Sequence, residues 1–173
     1  MLFRRSTLPL LAAMICGAAT LEQLSTDRLI NESTEIVRGT VNYCNYLYRP
    51  PVIWTVCEVN VKERLKGSGT AKVQVAIPGG VASGYRQSIE GTPSLERNTE
   101  YLLFLWQGKS GLKQIMGLSQ GLLGVTKDAN GELVANRTAS HERMLNARGQ
   151  RVEDHGIRMK LSEITAKLGP RTR

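Results

Sequence analysis

The sequence is short of the side chains that build metal and redox sites. It holds two histidines and three cysteines in 173 residues. His141-Glu142-Arg143-Met144-Leu145 begins like the zinc helix H-E-x-x-H, but Leu145 stands where the second histidine is needed. With only His141 and His155 and few thiols, zinc has no ligand set. No acidic cluster has calcium spacing. GGVASGY has the glycine spacing of a phosphate loop, yet it ends in Tyr85 where the loop needs lysine. No metal or cofactor is therefore expected. Aromatic residues are only 5% of the chain. No apolar run reaches the roughly 20 residues a membrane-spanning helix needs.

The first apolar run has a different meaning. Arg4 and Arg5 precede an apolar stretch from Leu8 to Ala19, and small residues close it at Gly17, Ala18 and Ala19. That is the layout of a secretory signal peptide over residues 1–19, with cleavage expected after Ala19. The expected location is secreted or periplasmic. An oxidising compartment then makes one disulfide, Cys44–Cys57, the natural use of the two remaining cysteines. Asn31-Glu32-Ser33 and Asn136-Arg137-Thr138 fit glycosylation sequons.

The net charge is +8. Its excess lies at the end: from Asn136 onward there are nine Lys/Arg against four Asp/Glu. Residues 20–135 read as the main domain and 136–173 as a basic tail. Such a tail suits nucleic acid, an anionic surface or an acidic partner, with a solvated charged surface as the default.

Alternation marks the strands. EIVRGTVNY places Val37, Gly39, Val41 and Tyr43 on one face; WTVCEVNV places Thr55, Cys57, Val59 and Val61 on one face. Pro50 and Pro51 mark the turn of a long hairpin between them. Aligning the apolar faces pairs Val41 with Val59 and Gly39 with Val61. Cys57 then falls opposite Tyr43, one residue from Cys44. A bulge between Val41 and Cys44 reconciles the register with the disulfide. AKVQVAIP is a third strand and YLLFLW a buried fourth. Residues 81–99 read as a long loop. LKQIMGLSQGLLGV reads as one broken strand or two short ones, and Asn130-Gly131 as a hairpin turn. Residues 138–156 read as loose or partly helical. Ile157, Leu161, Ile164 and Leu168 have helical spacing, so an amphipathic helix is expected over about 157–168. There is no β-α alternation. The expected class is mainly β: a small antiparallel barrel of five to six strands with a short C-terminal helix.

GLSQG, Gly117 to Gly121, matches the G-x-S-x-G elbow of serine hydrolases, and Asp128 and His141, or Asp154 and His155, follow Ser119 in hydrolase order. The elbow requires a helix after the serine. Gly124 and the Asn130 turn argue against one, so a kinked strand is preferred and a hydrolase is kept as the rival reading. The binding candidates are Tyr46, Tyr48 and Trp54 in the hairpin and Ser83, Tyr85 and Arg86 in the long loop.

EIVRGTV, WTVCEVNVKERLKG, AKVQV and EYLLFL together resemble the netrin-like module and the N-terminal barrel of the tissue inhibitors of metalloproteinases. The likeness spans about residues 35–106 and extends to exported bacterial proteins with this strand order. It implies an oligonucleotide/oligosaccharide-binding (OB) type barrel with a binding role. Those inhibitors chelate zinc through an N-terminal cysteine, whereas the mature terminus expected here is Thr20 or Leu21. The expected function is thus a non-enzymatic, exported binding module with an extracytoplasmic protein partner, such as a secreted or envelope protease. The alternatives are a hydrolase using Ser119, and nucleic-acid or anionic-surface binding through the tail, which ranks behind a protein partner.

Overall fold

The computed structural model describes residues 20–169, so the signal-peptide expectation lies outside the described residues. Fifteen elements among the described residues follow in order. They are β1 (Thr20–Glu22), α1 (Thr26–Glu32), β2 (Glu35–Arg49), β3 (Val52–Lys66), β4 (Lys72–Pro78), β5 (Gly80–Ala82), β6 (Tyr85–Gln87) and β7 (Glu100–Gln107). The second half has β8 (Lys113–Ile115), β9 (Leu122–Lys127), β10 (Leu133–Arg137), β11 (Arg143–Leu145), β12 (Arg151–Val152), β13 (Ile157–Lys160) and α2 (Leu161–Leu168). The fold is mainly β with a C-terminal helix, and no helix among the described residues is long and apolar enough to cross a membrane.

The long hairpin of β2 and β3 is the spine. Gly39 lies opposite Val61 and Val41 opposite Val59, the register the apolar faces dictate. The register then shifts between Val41 and Tyr43. Asn42 is the extra residue, and its Nδ2 donates to Glu58 Oε1 at 3.0 Å. After this bulge Tyr43 faces Glu58 and Cys44 faces Cys57, where the disulfide forms with its Cα atoms 4.0 Å apart. A bulge is the way to move one strand by one residue without turning its apolar set outward.

The remaining pairings give an eight-stranded sheet of order β13-β10-β9-β7-β2-β3-β4-β8, with a further pairing of β7 and β8. Five of these strands, β2, β3, β4, β8 and β7, are thereby linked in a circuit. The β4–β8 join is parallel and rests on one pair, Ala76 with Gln114. β1 also pairs in parallel with β11. The sheets are mixed, which corrects the expectation of an all-antiparallel barrel: short segments returning from loops dock beside strands running the same way.

Two cores lie on the two sides of the main sheet. YLLFLW serves both, because alternate residues of a strand point to opposite faces. Leu103 and Leu105 join Val37, Val41, Cys57, Val59, Val75 and Ile77 inside the circuit. Leu102 and Phe104 join Ile36, Leu123, Ala135 and the helix residues Leu29, Ile30, Leu161 and Ile164. The helices thus cover the outer face of the sheet.

Three local expectations are corrected. The helix expected over 157–168 starts at Leu161; Ile157–Lys160 is strand β13, hydrogen-bonded antiparallel to Val134–Arg137. The sheet edge of β10 outbids helical spacing there. Residues 138–156 hold strands β11 and β12 in place of a loose segment. The 81–99 loop begins with the β5–β6 hairpin, whose Ser83 and Gly84 take φ of 52° and 78°, as a tight hairpin turn requires. LKQIMGLSQGLLGV resolves into β8 and β9, joined by a turn at GLSQG.

One charged group is buried at an end of the inner core. Glu35 lies opposite Leu105, its carboxylate 5% exposed, and it pairs with both Arg64 and Lys113. Burial holds the Arg64 pKa below its ordinary value; burial, then repulsion from Arg64, does the same for Lys113. Removing the carboxylate leaves two desolvated cations without an offset. Glu35→Gln is expected to cost about 3–5 kcal/mol in urea unfolding; a loss below about 1 kcal/mol contradicts this role.

Candidate functional site

Gly79 and Gly80 turn the chain back at the end of β4, with φ of 109° and 138°. A Cβ on Gly80 would sit 2.7 Å from the Tyr46 ring and 3.0 Å from Thr55 Oγ1. The Tyr46 ring therefore lies against bare backbone. Gln87 fastens the returning hairpin: its Oε1 accepts from the Ile53 N–H at 2.7 Å. Thr55 Oγ1 donates to the Gly79 carbonyl at 2.8 Å.

Between this fold-back and the β2–β3 hairpin is a cleft of about 550 Å³. The Cys44–Cys57 disulfide, Tyr46, Thr55 and Ile77 line it from the sheet strands, and Arg86, Ser88, Thr92, Pro93, Ser94 and Leu95 line it from the 81–99 segment. Cys57 is fully buried, whereas Cys44 is exposed. The lining mixes aromatic, aliphatic and hydroxyl groups, and Arg86 supplies its charge. Such a surface binds by shape, stacking and hydrogen bonds.

Of the six sequence candidates, Tyr46 and Arg86 line this cleft. Tyr48 stands opposite Ile53, on the same face as Tyr46, and extends the wall beyond the cleft. Trp54 stands opposite Leu47, so it faces the other side of the hairpin, half-buried beside Pro78. Ser83 and Tyr85 also lie apart from the lining. Tyr85 pairs with Ala82, out of phase with Val81 and Arg86, and is 68% exposed. Sequence reasoning missed Thr55, Gln87 and the 92–95 segment. Gly79-Gly80 was the available signal, since two glycines after a strand permit a reversal.

The GLSQG turn belongs elsewhere. Gly117 and Leu118 have φ of 57° and 65°, and Ser119 is followed by strand β9, not a helix. Ser119 Oγ is buried and has no hydrogen-bond partner among the described residues. His141 lines the same 400 Å³ depression as Ser119 but is exposed. Asp128 bonds the N–H groups of Asn130 and Glu132 in its own turn. Asp154 is committed to the Arg137 fork and to the N–H groups of Ser140 and Gly156. The serine, histidine and aspartates are not linked into a relay.

The basic segment carries Arg143, Arg148 and Arg151 on the β11–β12 hairpin, all exposed and without an ion pair among the described residues. The segment is nonetheless built into the sheets through β11 and β13. The chain matches no protein-family model and no curated protein.

Asp154 provides a test of how the basic segment is held. Its carboxylate is 3% exposed. The Arg137 guanidinium, helped by the Ser140 and Gly156 N–H groups, lowers its pKa from 3.8 to about 2. A carboxylate depressed on folding adds stability above its unfolded pKa and loses it as pH falls through the folded value. Asp154→Asn should cost about 2 kcal/mol near pH 6 and far less near pH 2. Urea midpoints at the two pH values measure this; an equal cost at both contradicts it.

Proposed function

We propose that the chain is an extracytoplasmic, non-catalytic binding module that takes a protein partner on the cleft and the aromatic flank of the β2–β3 hairpin. The observation that carries this reading is the cleft itself: Tyr46 and Arg86 on its wall, continued by exposed Tyr48. Tyr43, Tyr46 and Tyr48 are 42%, 59% and 44% exposed on one strand. Aromatic side chains held out of the core on a rigid hairpin are the usual anchors of protein interfaces. The disulfide and the lack of a spanning helix among the described residues are in keeping with an extracellular or periplasmic place. A secreted or envelope protein such as a protease is the partner class. We read the five-strand circuit as an open OB-type barrel related in plan to the netrin-like and tissue-inhibitor modules.

Two rivals make different demands. A hydrolase needs Ser119 activated, and its turn leads into a strand. An anionic-surface binder would use Arg143, Arg148 and Arg151, whose free guanidiniums favour this second reading; its affinity must fall steeply with salt. A photo-crosslinking residue at Tyr48 or Arg86 should capture the partner in the extracytoplasmic fraction, and one at Lys127 should not. Equal capture from all three positions contradicts the cleft reading. So does fluorophosphonate labelling that disappears in Ser119→Ala.

A further inference from the structure

The β2 strand outruns its neighbour. β3 accompanies it over the whole length, to Arg49 opposite Val52. β7 pairs with it only from Glu35 to Thr40. Val41 then closes the junction by bonding to Thr99 and Asn98. Beyond Val41 no backbone group among the described residues bonds to the side of β2 that faces away from β3.

Which residues face that free side follows from the disulfide pair. Directly opposed residues in an antiparallel ladder alternate between pairs that exchange hydrogen bonds, about 5.5 Å apart, and narrower pairs that do not, about 4.5 Å apart. Cys44 and Cys57 are 4.0 Å apart at Cα, the narrow kind. Tyr46 with Thr55 and Tyr48 with Ile53 lie two and four residues along and share that character. Ile53 agrees: its N–H goes to Gln87 and its carbonyl accepts from Gly79, both away from β2. Cys44, Tyr46 and Tyr48 therefore turn their N–H and C=O groups outward, along an open strand edge. Sheet edges are ordinarily blunted by lysine, proline, an inward charge or a bulge. Beyond the bulge at Asn42, Tyr43 to Tyr48 contains none of these.

We propose that this edge is the docking strand of the module: an extended segment of the partner adds to the β2 edge at Cys44 to Tyr48, with an acidic side chain directed to Arg86. The proposal rests on the binding reading above and deepens it. Unpaired N–H and C=O groups at strand spacing recognise an extended backbone whatever its sequence. The side chains of these same residues, Tyr46 and Tyr48, lie on the cleft face, so a strand added here presents its alternate side chains to that face. Arg86 is exposed there and makes no ion pair among the described residues, which selects for an acidic residue. A second copy docked on the same edge about a two-fold axis would instead bring two Arg86 groups onto one face, with no carboxylate in either cleft lining to offset them.

Amide hydrogen exchange on the intact, disulfide-bonded protein tests this. The probe is an acetylated, amidated octapeptide alternating glutamate with valine and threonine, beside its lysine-for-glutamate counterpart. In the free protein the amides of Cys44, Tyr46 and Tyr48 should exchange fast, and those of Asn45 and Leu47, bonded to β3, slowly. The glutamate peptide at millimolar concentration should slow the three outward amides by about tenfold or more. The lysine peptide should not, and Arg86→Glu should reverse the preference. Tyr48→Pro, which lacks the outward N–H, should bind more weakly than Tyr48→Ala, with the disulfide formed in both. If the three amides are unaffected while crosslinking at Tyr48 persists, strand addition is wrong and the cleft reading stands. If both fail, the binding reading falls with it. If the amides are already slow in the free protein, in proportion to its concentration, the edge is taken by a second copy and the proposal is overturned.

Discussion

The extra residue at Asn42 is the constraint on which the rest of the molecule depends. Side chains alternate strictly along a strand, so a strand that must switch which of its residues face inward needs one residue out of step. Before Asn42 the odd residues Val37, Gly39 and Val41 face the inner core. After it the even residues Cys44, Tyr46 and Tyr48 take that side. Without the shift, Cys57 would face Tyr43 and the two cysteines would not meet. The disulfide then locks the shifted half, adding about 3 kcal/mol by restricting the unfolded chain. The lock acts on the part of β2 that pairs with β3 alone, beyond the reach of β7.

The other features are arranged along this spine. One end of the inner core is closed by Glu35 with its two cations; the disulfide and cleft lie toward the other. Between them β7 supplies both cores at once, which ties the five-strand circuit to the helices on the outer face. The narrow β4–β8 join leaves the circuit weakly closed. The structure therefore concentrates its rigidity in β2, β3 and β7, and the candidate site is built on the first two. A binding surface placed on rigid strands loses little freedom when a partner arrives.

Much of the frame was legible in the sequence. The hairpin register came from apolar alternation, and the need for a bulge came from the mismatch between that register and the two cysteines. YLLFLW read as a buried strand because no polar face interrupts it. The losses were of two kinds. Short elements carry little periodic signal: α1 is a seven-residue helix, announced by Ser25 at its N-cap and Asp27 in its first turn, and β5 and β6 have three residues each. Elements fixed by distant partners carry misleading signal: Ile157–Lys160 has helical spacing with Leu161 and Ile164, yet pairs with β10. The site was half legible for the same reason. Tyr46 and Tyr48 stand on a readable strand. Arg86 stands in a segment that reads as a loop, and its place in the cleft lining depends on Gly79, Gly80 and the Gln87 bond to Ile53.

The register of the hairpin beyond Asn42 is the most direct thing to measure, by proton Overhauser effects in the disulfide-bonded protein. Opposed residues in narrow antiparallel pairs bring their α protons close together. Strong α-to-α effects should join Cys44 with Cys57, Tyr46 with Thr55 and Tyr48 with Ile53, and the Tyr46 ring should contact the Gly80 α protons. Effects joining Tyr43 with Cys57, or Asn45 with Thr55, would mean that Asn42 is not out of step. The cleft, the free edge and the placement of the tyrosines would then all be wrong together.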